Sequence, residues 1–386
     1  DHTASPGGAV LDSQPGIYDH VLVLDFKSLY PSIIRTFLVD PLGLALGASG
    51  SLGAGETVPG FLEARFARDG HILPALIAEL WQQRDKAKQV NDKPLSQAIK
   101  IIMNSFYGVL GSPGCRFFDA RLASSITRRG HGILGRTRDY IEEAGHRVIY
   151  GDTDSVFVWI QEAGSDAEAQ AAGRELQRDL NAWWSKEIRE EFALESLLEL
   201  EFETHFKRFL MPTVRGSDKG SKKRYAGIVS SEQGDHLVFK GLENVRTDWT
   251  RLAREFQEEL YRRVFLQEPF EDYVSELTAE VLDGRHDDAL VYRKRLRRRL
   301  DEYQRNVPPH VQAARLYEQR GLAPPTRGAW VEYVITSAGA EPAARPVASL
   351  DYQHYVDRQL EPVANGILGF VGTSFAQLAG KQIDLF

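Results

Sequence analysis

Apolar residues follow a strand-like pattern in two parts of the chain. Residues 20–25 form a nearly continuous apolar run that ends in an acid, Asp25. Further along, the apolar runs 148–150 and 156–160 are rich in β-branched side chains and flank the polar tetrad Gly-Asp-Thr-Asp at 151–154. A Gly-Asp turn between such runs is a common hairpin signal. The pattern therefore predicts one buried strand that ends in an acid, and a β-hairpin with two acids at its tip.

These acids are candidate metal ligands. Asp152 and Asp154 are one residue apart, and such carboxylates at the edge of a sheet repel each other unless a cation lies between them or one is protonated. Hard oxygen ligands of this kind suit Mg²⁺ best. Asp25 would add a third acid from a second strand. Two alternatives remain open: the hairpin acids could cap their own backbone in a solvated turn, and Asp25 could cap a helix that begins near Pro31.

Helical periodicity follows at residues 73–90 and 95–110. The predicted apolar faces are Leu76, Leu80 and Ala87 in the first helix, and Ile99, Ile102, Met103 and Phe106 in the second. As an antiparallel pair, the helices would carry the cations Arg84, Lys88 and Lys100 toward one polyanion. The alternative is a solvated face, which is common for scattered helix cations.

The other face of the second helix holds Asn104, Tyr107 and Gly108 beside Lys100. Glycine inside a helix costs about 1 kcal/mol relative to alanine. We therefore expect another group to approach the helix closely at Gly108.

The rest of the pattern divides near residue 245. Residues 42–60, mostly Gly, Ala and Ser, indicate a flexible connection or a loose surface segment. Two further helices are predicted at 120–144 and 167–188, and Trp183 and Trp184 in the second are assigned to packing. A strand is predicted at 199–211, and paired strands within 222–229 and 237–242. A mainly helical region begins at 249, with apolar residues at helical spacing: Leu252, Phe256, Leu260 and Val264. No internal repeat indicates a solenoid.

Composition places the chain among ordinary globular proteins. Its 386 residues are 42% hydrophobic and 26% charged, which is enough for two or three domains. The single cysteine, Cys115, excludes an intrachain disulfide and agrees with a reducing compartment. No apolar run approaches a membrane span and no signal pattern is present, so we expect a cytoplasmic protein without a membrane partner. Because the chain does not begin with methionine, we interpret it as part of a longer sequence.

The net charge of -7 and the pI near 5.9 argue against a phosphate-rich partner only if they are taken globally. Basic residues are concentrated at 219–224 and 293–299, with a shorter pair at 128–129. Local basic stripes decide nucleic-acid binding. The density of the second run favours phosphate contact over a solvated helix face.

Three segments together resemble the family B DNA polymerases. Asp-Phe-Lys-Ser-Leu-Tyr-Pro-Ser at 25–32 is similar to the family's first palm motif, Lys-Ile-Ile-Met-Asn-Ser-Phe-Tyr-Gly at 100–108 to its fingers motif, and Tyr-Gly-Asp-Thr-Asp-Ser at 150–155 to its second palm motif. Lys-Lys-Arg-Tyr at 222–225 resembles the family's primer-contacting element, and 240–249 the stretch that leads from palm to thumb. The segments occur in the family's order, which makes the resemblance specific.

The resemblance implies an α+β fold with a right-hand polymerase architecture: an antiparallel-sheet palm, helical-hairpin fingers and a mainly α-helical thumb. The palm would comprise residues 1–70 and 112–245, the fingers 71–111, and the thumb 246–386. The implied activity is template-directed transfer of a deoxynucleoside monophosphate from a dNTP to a primer 3′-hydroxyl. The family's exonuclease acids lie in an upstream domain, so we expect this fragment not to excise mismatches.

The resemblance also implies roles for individual residues. Asp25 and Asp154 would be the shared ligands of two Mg²⁺ ions, for which Mn²⁺ can substitute, and Asp152 would be a less constant ligand. The implied nucleotide site consists of Arg84, Lys88 and Lys100 for the triphosphate, Asn104, Tyr107 and Gly108 under the base pair, Tyr30 as a steric gate against ribonucleotides, and Ser28 and Leu29 beside it. The implied primer-template contacts are Lys222, Lys223, Tyr225, Arg293 and Arg297.

The last five residues, Gln-Ile-Asp-Leu-Phe, resemble the peptide by which bacterial polymerases bind the sliding clamp. Gln382, Leu385 and Phe386 would be its anchors, and a frayed or packed tail is the alternative. The expected partners are therefore primer-template DNA, dNTP and a bacterial sliding clamp, in a nucleoid-associated cytoplasmic protein.

Two rival functions remain. A related palm enzyme that uses RNA is the first, although the bulky Tyr30 argues against ribonucleotide use. An inactive DNA- and clamp-binding scaffold is the second, and it should have lost Asp25, Asp154 or Lys100. All three residues are present.

Overall fold

A computed structural model describes residues 10–214 and 219–380. The chain forms two compact units, the first from Asp1–Gln14 and Tyr18–Lys207, the second from Pro15–Ile17 and Arg208–Phe386. The boundary between the two units falls after Lys207, whereas the sequence pattern predicted a boundary near residue 245. The division into palm, fingers and thumb therefore stays a prediction.

The first unit combines an antiparallel sheet with helices. Its strands are β1 (Val10–Leu11), β2 (Gly16–Phe26), β3 (Thr57–Pro59), β4 (Arg65–Ala67), β5 (Arg147–Asp152), β6 (Ser155–Trp159) and β7 (Leu200–Met211), the last of which continues into the second unit. Its helices are α1 (Leu29–Phe37), α2 (Pro41–Ala48), α3 (Leu73–Gln89), α4 (Lys93–Leu110), α5 (Ala120–Glu143) and α6 (Asp166–Phe192). The fold class is thus α+β, as predicted.

The main sheet of the first unit has the order β1-β5-β6-β2-β7. The predicted hairpin is confirmed, because β5 and β6 pair antiparallel around the polar tetrad. β2 pairs antiparallel with β6, and its central residues Val21, Leu22 and Leu24 are buried. β2 therefore lies in the interior of the sheet and carries Asp25 directly beside the hairpin tip.

Helices α5 and α6 pack together beside the sheet. Trp184 is buried, and its indole Nε1 donates a hydrogen bond of 3.0 Å to Thr137 Oγ1. Trp183 packs on the Tyr140 ring with centroids 5.1 Å apart. The guanidinium of Arg136 lies over both indoles, 5.3 and 5.0 Å from the ring centroids. The assignment of both tryptophans to packing is confirmed.

The two helices predicted between residues 73 and 110 are present as α3 and α4, but their buried faces differ from the prediction. Ala87, Ile99 and Met103 are buried as predicted. Leu76 and Ile102, however, are 40% and 47% exposed, and Ile77, which was not predicted, is buried. In each helix, two large apolar residues stand side by side in the sequence. Periodicity alone could not choose between Leu76 and Ile77 or exclude Ile102, and packing against the rest of the unit buries Ile77 and Met103.

The prediction of a loose segment at 42–60 was wrong for much of its length. Helix α2 covers Pro41–Ala48, and β3 pairs antiparallel with β4. The missed signal was Asp40 before Pro41, a good cap followed by a residue that suits the first helical turn. The carboxylate of Asp40 accepts hydrogen bonds from Gly43 N (2.8 Å), Ile72 N (3.0 Å) and Leu73 N (2.7 Å), and so joins the starts of α2 and α3.

The stretch Leu29–Ala48 is long and apolar enough to pass a composition test for a membrane span, with a mean hydropathy of 1.2. This corrects the expectation that no run approaches that length. The stretch comprises α1 and α2 with a break between them, and 61% of it is buried within the protein. Buried core helices pass the same test, so the finding is weak evidence for a membrane segment.

The second unit contains a β-hairpin, a helical core and a small sheet. Its remaining strands are β8 (Tyr225–Val229), β9 (His236–Lys240), β10 (Tyr292–Arg295), β11 (Trp330–Thr336) and β12 (Gly339–Pro342). Its helices are α7 (Arg251–Phe265), α8 (Glu271–Leu282), α9 (Pro309–Ala314), α10 (Tyr352–Tyr355), α11 (Glu361–Leu368) and α12 (Phe375–Gly380), with a π-helical segment at Val356–Leu360. The predicted pairing of β8 with β9 is confirmed.

The predicted helical core of this unit is confirmed, since Leu252, Phe256, Leu260 and Val264 of α7 are all buried. The three-stranded sheet β10-β11-β12 was not predicted. Consequently, the run 293–299 is not a helix face: Arg293 begins an exposed stretch of β10, and an irregular segment follows. Buried residues at 292 and 296 are spaced four apart, which fits a helix as well as a strand followed by an irregular segment.

We predict that Asp40→Ala lowers the free energy of unfolding by about 3 kcal/mol or more. Asp40 is 0% exposed, and each buried N–H group left without an acceptor costs about 1–3 kcal/mol. Asp92→Ala is the control: this exposed cap accepts one hydrogen bond from Leu95 N and should cost about 1 kcal/mol. Urea-induced unfolding measures both. Equal losses in the two variants would contradict the bridging role of Asp40.

Candidate active site

A cavity of about 690 Å³ lies within the first unit. Most residues predicted for catalysis and nucleotide binding line it: Asp25, Ser28, Leu29, Tyr30, Arg84, Lys88, Lys100, Asn104, Tyr107 and Asp154. They come from β2, α1, α3, α4 and the β5–β6 turn, which are far apart in sequence. The tertiary structure therefore brings one predicted set of residues to one place.

Strand pairing places Asp25 beside Asp154. Asp25 is opposite Ser155 in the β2–β6 register, and Phe26 N donates a 2.8 Å hydrogen bond to Asp154 O. Thr153 has a φ of 53°, in the left-handed region, and Asp154 N donates to Asp152 O at 2.6 Å. The tight turn thus fixes the hairpin acids next to the end of β2. Helix α1 begins at Leu29 after Ser28, so Asp25 is not its cap.

The cavity acids repel each other. Burial, followed by the negative charges of Asp154 and Glu203, raises the pKa of Asp25 from 3.8 to about 8. Burial also raises the pKa of Asp154, while a backbone hydrogen bond and the positive charge of Lys100 oppose the rise. A divalent cation would relieve this repulsion. The donors are carboxylate oxygens, the ligand type that Mg²⁺ prefers, so the residues present fit this ion.

Asp152 is held differently from the other two acids. Its carboxylate accepts hydrogen bonds from Tyr150 Oη at 3.3 Å and from Thr153 Oγ1 at 3.1 Å. It is not among the cavity-lining residues. The structure therefore places Asp152 beside the site, where its charge acts on Asp154.

A row of acids on β7 and directly before it was not predicted as part of the site. Glu199, Glu201 and Glu203 line the cavity, and Lys27 Nζ lies 3.4 Å from Glu199 Oε1 and 3.5 Å from Glu201 Oε2. The signal was available: acids two residues apart on a strand share one face. The sequence pattern could not show which strand lies beside β7, because only the sheet order places β7 next to β2.

The predicted cations converge on the same cavity from α3 and α4. Burial lowers the pKa of Lys88, and the positive charge of Arg84 lowers it further. Arg84 Nη1 lies 3.5 Å from Ser28 Oγ, and its Nε is buried without a hydrogen-bond partner in the described chain. Cations that are partly desolvated and close together bind a polyanion favourably, because it relieves their mutual repulsion.

Tyr30 forms part of the cavity wall. Its ring packs against that of Tyr107, with centroids 4.8 Å apart, and burial raises the pKa of Tyr30 to about 12. Gly130 of α5 lies beside the ring: a Cβ there would be in ordinary van der Waals contact with Tyr30 Cε1, at 3.4 Å. The ring is therefore supported from two sides and stays neutral at ordinary pH.

Gly108 is not among the lining residues, and a Cβ at this position would meet no atom of the described chain within 4 Å. The close approach expected at Gly108 is therefore not made by the described part of the protein. Intramolecular packing gives no reason for glycine at this helical position.

The predicted primer-template contacts belong to the second unit. Lys222 and Lys223 are exposed just before β8, and Tyr225 packs on Phe209 with ring centroids 5.4 Å apart. The guanidinium of Arg293 lies 4.4 Å from the centroid of the Trp330 ring. Arg297 is exposed in the irregular segment after β10. Gln382, Leu385 and Phe386 lie outside the described residues.

Comparison with known proteins shows the family. Residues 1–367 match the sequence model of DNA polymerase family B, and the chain therefore belongs to this family. It is 56% identical over 389 residues to DNA polymerase II of Escherichia coli (strain K12), covering 99% of this chain and 49% of that protein. It is 29% identical over 395 residues to a DNA polymerase of Thermococcus gorgonarius, covering 95% and 47%.

A solved structure agrees with these sequence relationships. The family B DNA polymerase from the hyperthermophilic archaeon Pyrobaculum calidifontis superposes with a TM-score of 0.69 at 26% identity, over 97% of this chain and 48% of that one. The resemblance inferred from the three motifs is confirmed. The chain spans about half the length of the relatives it matches.

We predict that Asp25→Asn makes the first unit less sensitive to rising pH when divalent cations are removed. With a pKa of about 8 in the folded chain and 3.8 as its ordinary value, Asp25 keeps a proton on folding that the unfolded chain has released. Its contribution to stability is complete below pH 4 and is lost as the pH rises toward about 8.

Thermal unfolding at pH 5 and pH 8 in the presence of EDTA measures the effect. Asp25→Asn should raise the melting temperature relative to the wild type more at pH 8 than at pH 5. Asp69→Asn changes an exposed acid in the same unit and is the control. If both variants shift equally at the two pH values, the acids do not repel each other as described.

Proposed function

We propose that this chain carries the catalytic site of a DNA-directed DNA polymerase. The observation that supports this most directly is the shared cavity of Asp25 and Asp154 with Arg84, Lys88 and Lys100. A site that transfers nucleotides needs acids for divalent cations and a separate cationic surface for the triphosphate. Family membership supports the same activity.

We further propose the right-hand arrangement for the chain. Residues 1–70 and 112–245 would form the palm, 71–111 the fingers, and 246–386 the thumb. The antiparallel sheet around β2 supports the first assignment. The hairpin of α3 and α4 supports the second, because it is a pair of packed helices that ends at the cavity.

In this mechanism, Asp25 and Asp154 would hold the two metal ions near the primer 3′-hydroxyl and the triphosphate. Asp152, two residues before Asp154, would be a less constant ligand and would add negative charge to the site. When bound, two Mg²⁺ ions would lower the pKa of the attacking hydroxyl and neutralise charge on the leaving pyrophosphate. Phosphoryl transfer depends mainly on such positioning and electrostatics, so the protein needs no covalent nucleophile.

The remaining cavity residues bind and select the nucleotide. Arg84, Lys88 and Lys100 would bind the triphosphate oxygens, and inward rotation of the fingers would exclude water. Tyr30 would lie under the sugar, where a 2′-hydroxyl clashes with the ring, with Ser28 and Leu29 beside it.

The nascent base pair would rest on one face of α4, formed by Asn104, Tyr107 and Gly108. The open space around Gly108 supports this role, because a side chain there would occupy the volume of a base without disturbing the protein itself.

Residues of the second unit would hold the duplex. Lys222, Lys223 and Tyr225 are proposed to contact the primer, and Arg293 and Arg297 to contact phosphates without reading sequence. The guanidinium of Arg293 already lies over the indole of Trp330.

The terminal peptide with Gln382, Leu385 and Phe386 is proposed to bind the sliding clamp. The protein would act in the cytoplasm, on nucleoid DNA.

Extension of a labelled primer on a DNA template, with and without Mg²⁺, tests the activity. We expect growth that requires the template, all four dNTPs and the ion. Binding of the duplex without any growth would instead favour an inactive scaffold. Faster growth with ribonucleotides would favour a palm enzyme that uses RNA.

We predict that Asp154→Asn reduces extension by about 10³-fold or more, because several kcal/mol of charge stabilisation correspond to tenfold per 1.4 kcal/mol. Affinity for primer-template should stay within a few-fold, since the proposed duplex contacts are elsewhere. Single-turnover extension and duplex titration separate the two quantities. Asp69→Asn is the matched control. Near-normal turnover in Asp154→Asn would refute the metal assignment.

We also predict that Tyr30→Ala admits ribonucleotides. The ratio of kcat/KM for dNTP over rNTP should fall by at least about 10-fold, because the ring that excludes the 2′-hydroxyl is gone. Tyr30→Phe keeps the ring and should keep the discrimination. If the ratio is unchanged in Tyr30→Ala, another residue performs sugar selection.

A further inference from the structure

A second cluster of potential ligands lies in the first unit, outside the cavity. It consists of His20 on β2, His205 on β7 and Asp166 at the start of α6. One ligand atom from each residue lies within 4.8 Å of the others. None of the three lines the cavity of the candidate active site.

The distances suit two imidazoles that share an ion. His20 Nδ1 lies 3.0 Å from His205 Nε2 and 3.9 Å from Asp166 Oδ1. Two nitrogens bound to one tetrahedral Zn²⁺, each at about 2.0–2.1 Å, are about 3.3 Å apart. The histidine pair therefore needs only a small separation to receive an ion between the two nitrogens.

The neighbours of the cluster can orient its ligands. The side-chain amide of Gln170 lies 3.3 Å from His205 Nδ1, the ring nitrogen opposite the shared one. The two ends of a glutamine amide exchange by a half-turn, so its oxygen can accept a hydrogen bond from Nδ1–H, the tautomer of His205 in which Nε2 is unprotonated and can serve as a metal ligand. Lys207 Nζ lies 3.0 Å from Asp166 Oδ2, which leaves Oδ1 directed toward His20.

The cluster is rigid on one side and open on the other. β2 and β7 are neighbours in the sheet, and His205 is buried. The His20 side chain is 15% exposed and that of Asp166 40% exposed. His20 also has a φ of 56°, an uncommon backbone conformation. Three protein ligands with solvent on the open side are typical of a four-coordinate ion with one water.

We propose that His20 Nδ1, His205 Nε2 and Asp166 Oδ1 bind a borderline divalent metal ion of the Zn²⁺ class. Imidazole ligands favour Zn²⁺, Co²⁺ or Ni²⁺ over Mg²⁺, so this site and the carboxylate cavity select different ions. The ion would connect β2, β7 and α6, and so stabilise the strand that carries Asp25. Its role is structural and does not depend on the proposed polymerase activity.

The test uses the full chain after treatment with a chelator, titrated with Co²⁺ in excess Mg²⁺. We expect the intense visible absorption of four-coordinate cobalt at one equivalent, its loss on addition of Zn²⁺, and a higher melting temperature with Zn²⁺. His20→Ala and Asp166→Asn, both at partly exposed positions, should lose the absorption. Gln170→Leu should weaken binding by about 10- to 100-fold, as loss of an orienting partner does.

Asp154→Asn separates this site from the catalytic cavity and should leave the cobalt absorption unchanged. Circular dichroism of each variant establishes that it is folded. The proposal is overturned if the folded wild type gives no such absorption, which would mean that the histidines share only a proton. It is equally overturned if His20→Ala keeps the absorption, or if Asp154→Asn removes it.

Discussion

The repulsion between Asp25 and Asp154 is the constraint on which the site depends. A protein could relieve it by moving the two acids apart, but here strand pairing prevents that: Asp25 is opposite Ser155, and the backbone of Phe26 is bonded to that of Asp154. The surrounding sheet is buried and tightly paired, so it supplies the free energy that holds like charges together. The result is a site whose like charges are relieved either when Asp25 keeps a proton or when a cation binds.

Another part of the cavity wall carries positive charges that also lie close together. Arg84, Lys88 and Lys100 come from a helical hairpin, and burial, followed by the positive charge of Arg84, lowers the pKa of Lys88. Acids on the sheet and cations on the helices thus face a common space. A ligand that carries both divalent cations and a polyphosphate satisfies both walls at once, and this matches the chemistry expected of DNA polymerase family B.

Buried polar groups also organise the fold away from the cavity. Asp40 joins two helix starts through three backbone N–H groups, and the cluster of His20, His205 and Asp166 connects two strands with a helix. In both cases a few polar contacts fix how elements distant in sequence meet. Such contacts cannot be recognised from composition, since each residue looks ordinary in its own segment.

The amino-acid sequence by itself determined the local elements and the chemistry of the main site. Three features could be recognised from the order of residues along the chain alone. They are the β-branched runs around a Gly-Asp turn, the helical periodicity of α3 and α4, and the order of the three motifs. The tertiary structure decided which strands are neighbours and which of two adjacent apolar residues is buried. It alone placed Glu203 beside Asp25, and His20 beside His205 across a sequence separation of 185 residues. The physical reason is that sheet order and helix packing follow from long-range burial, whereas periodicity records only which face of each element is apolar.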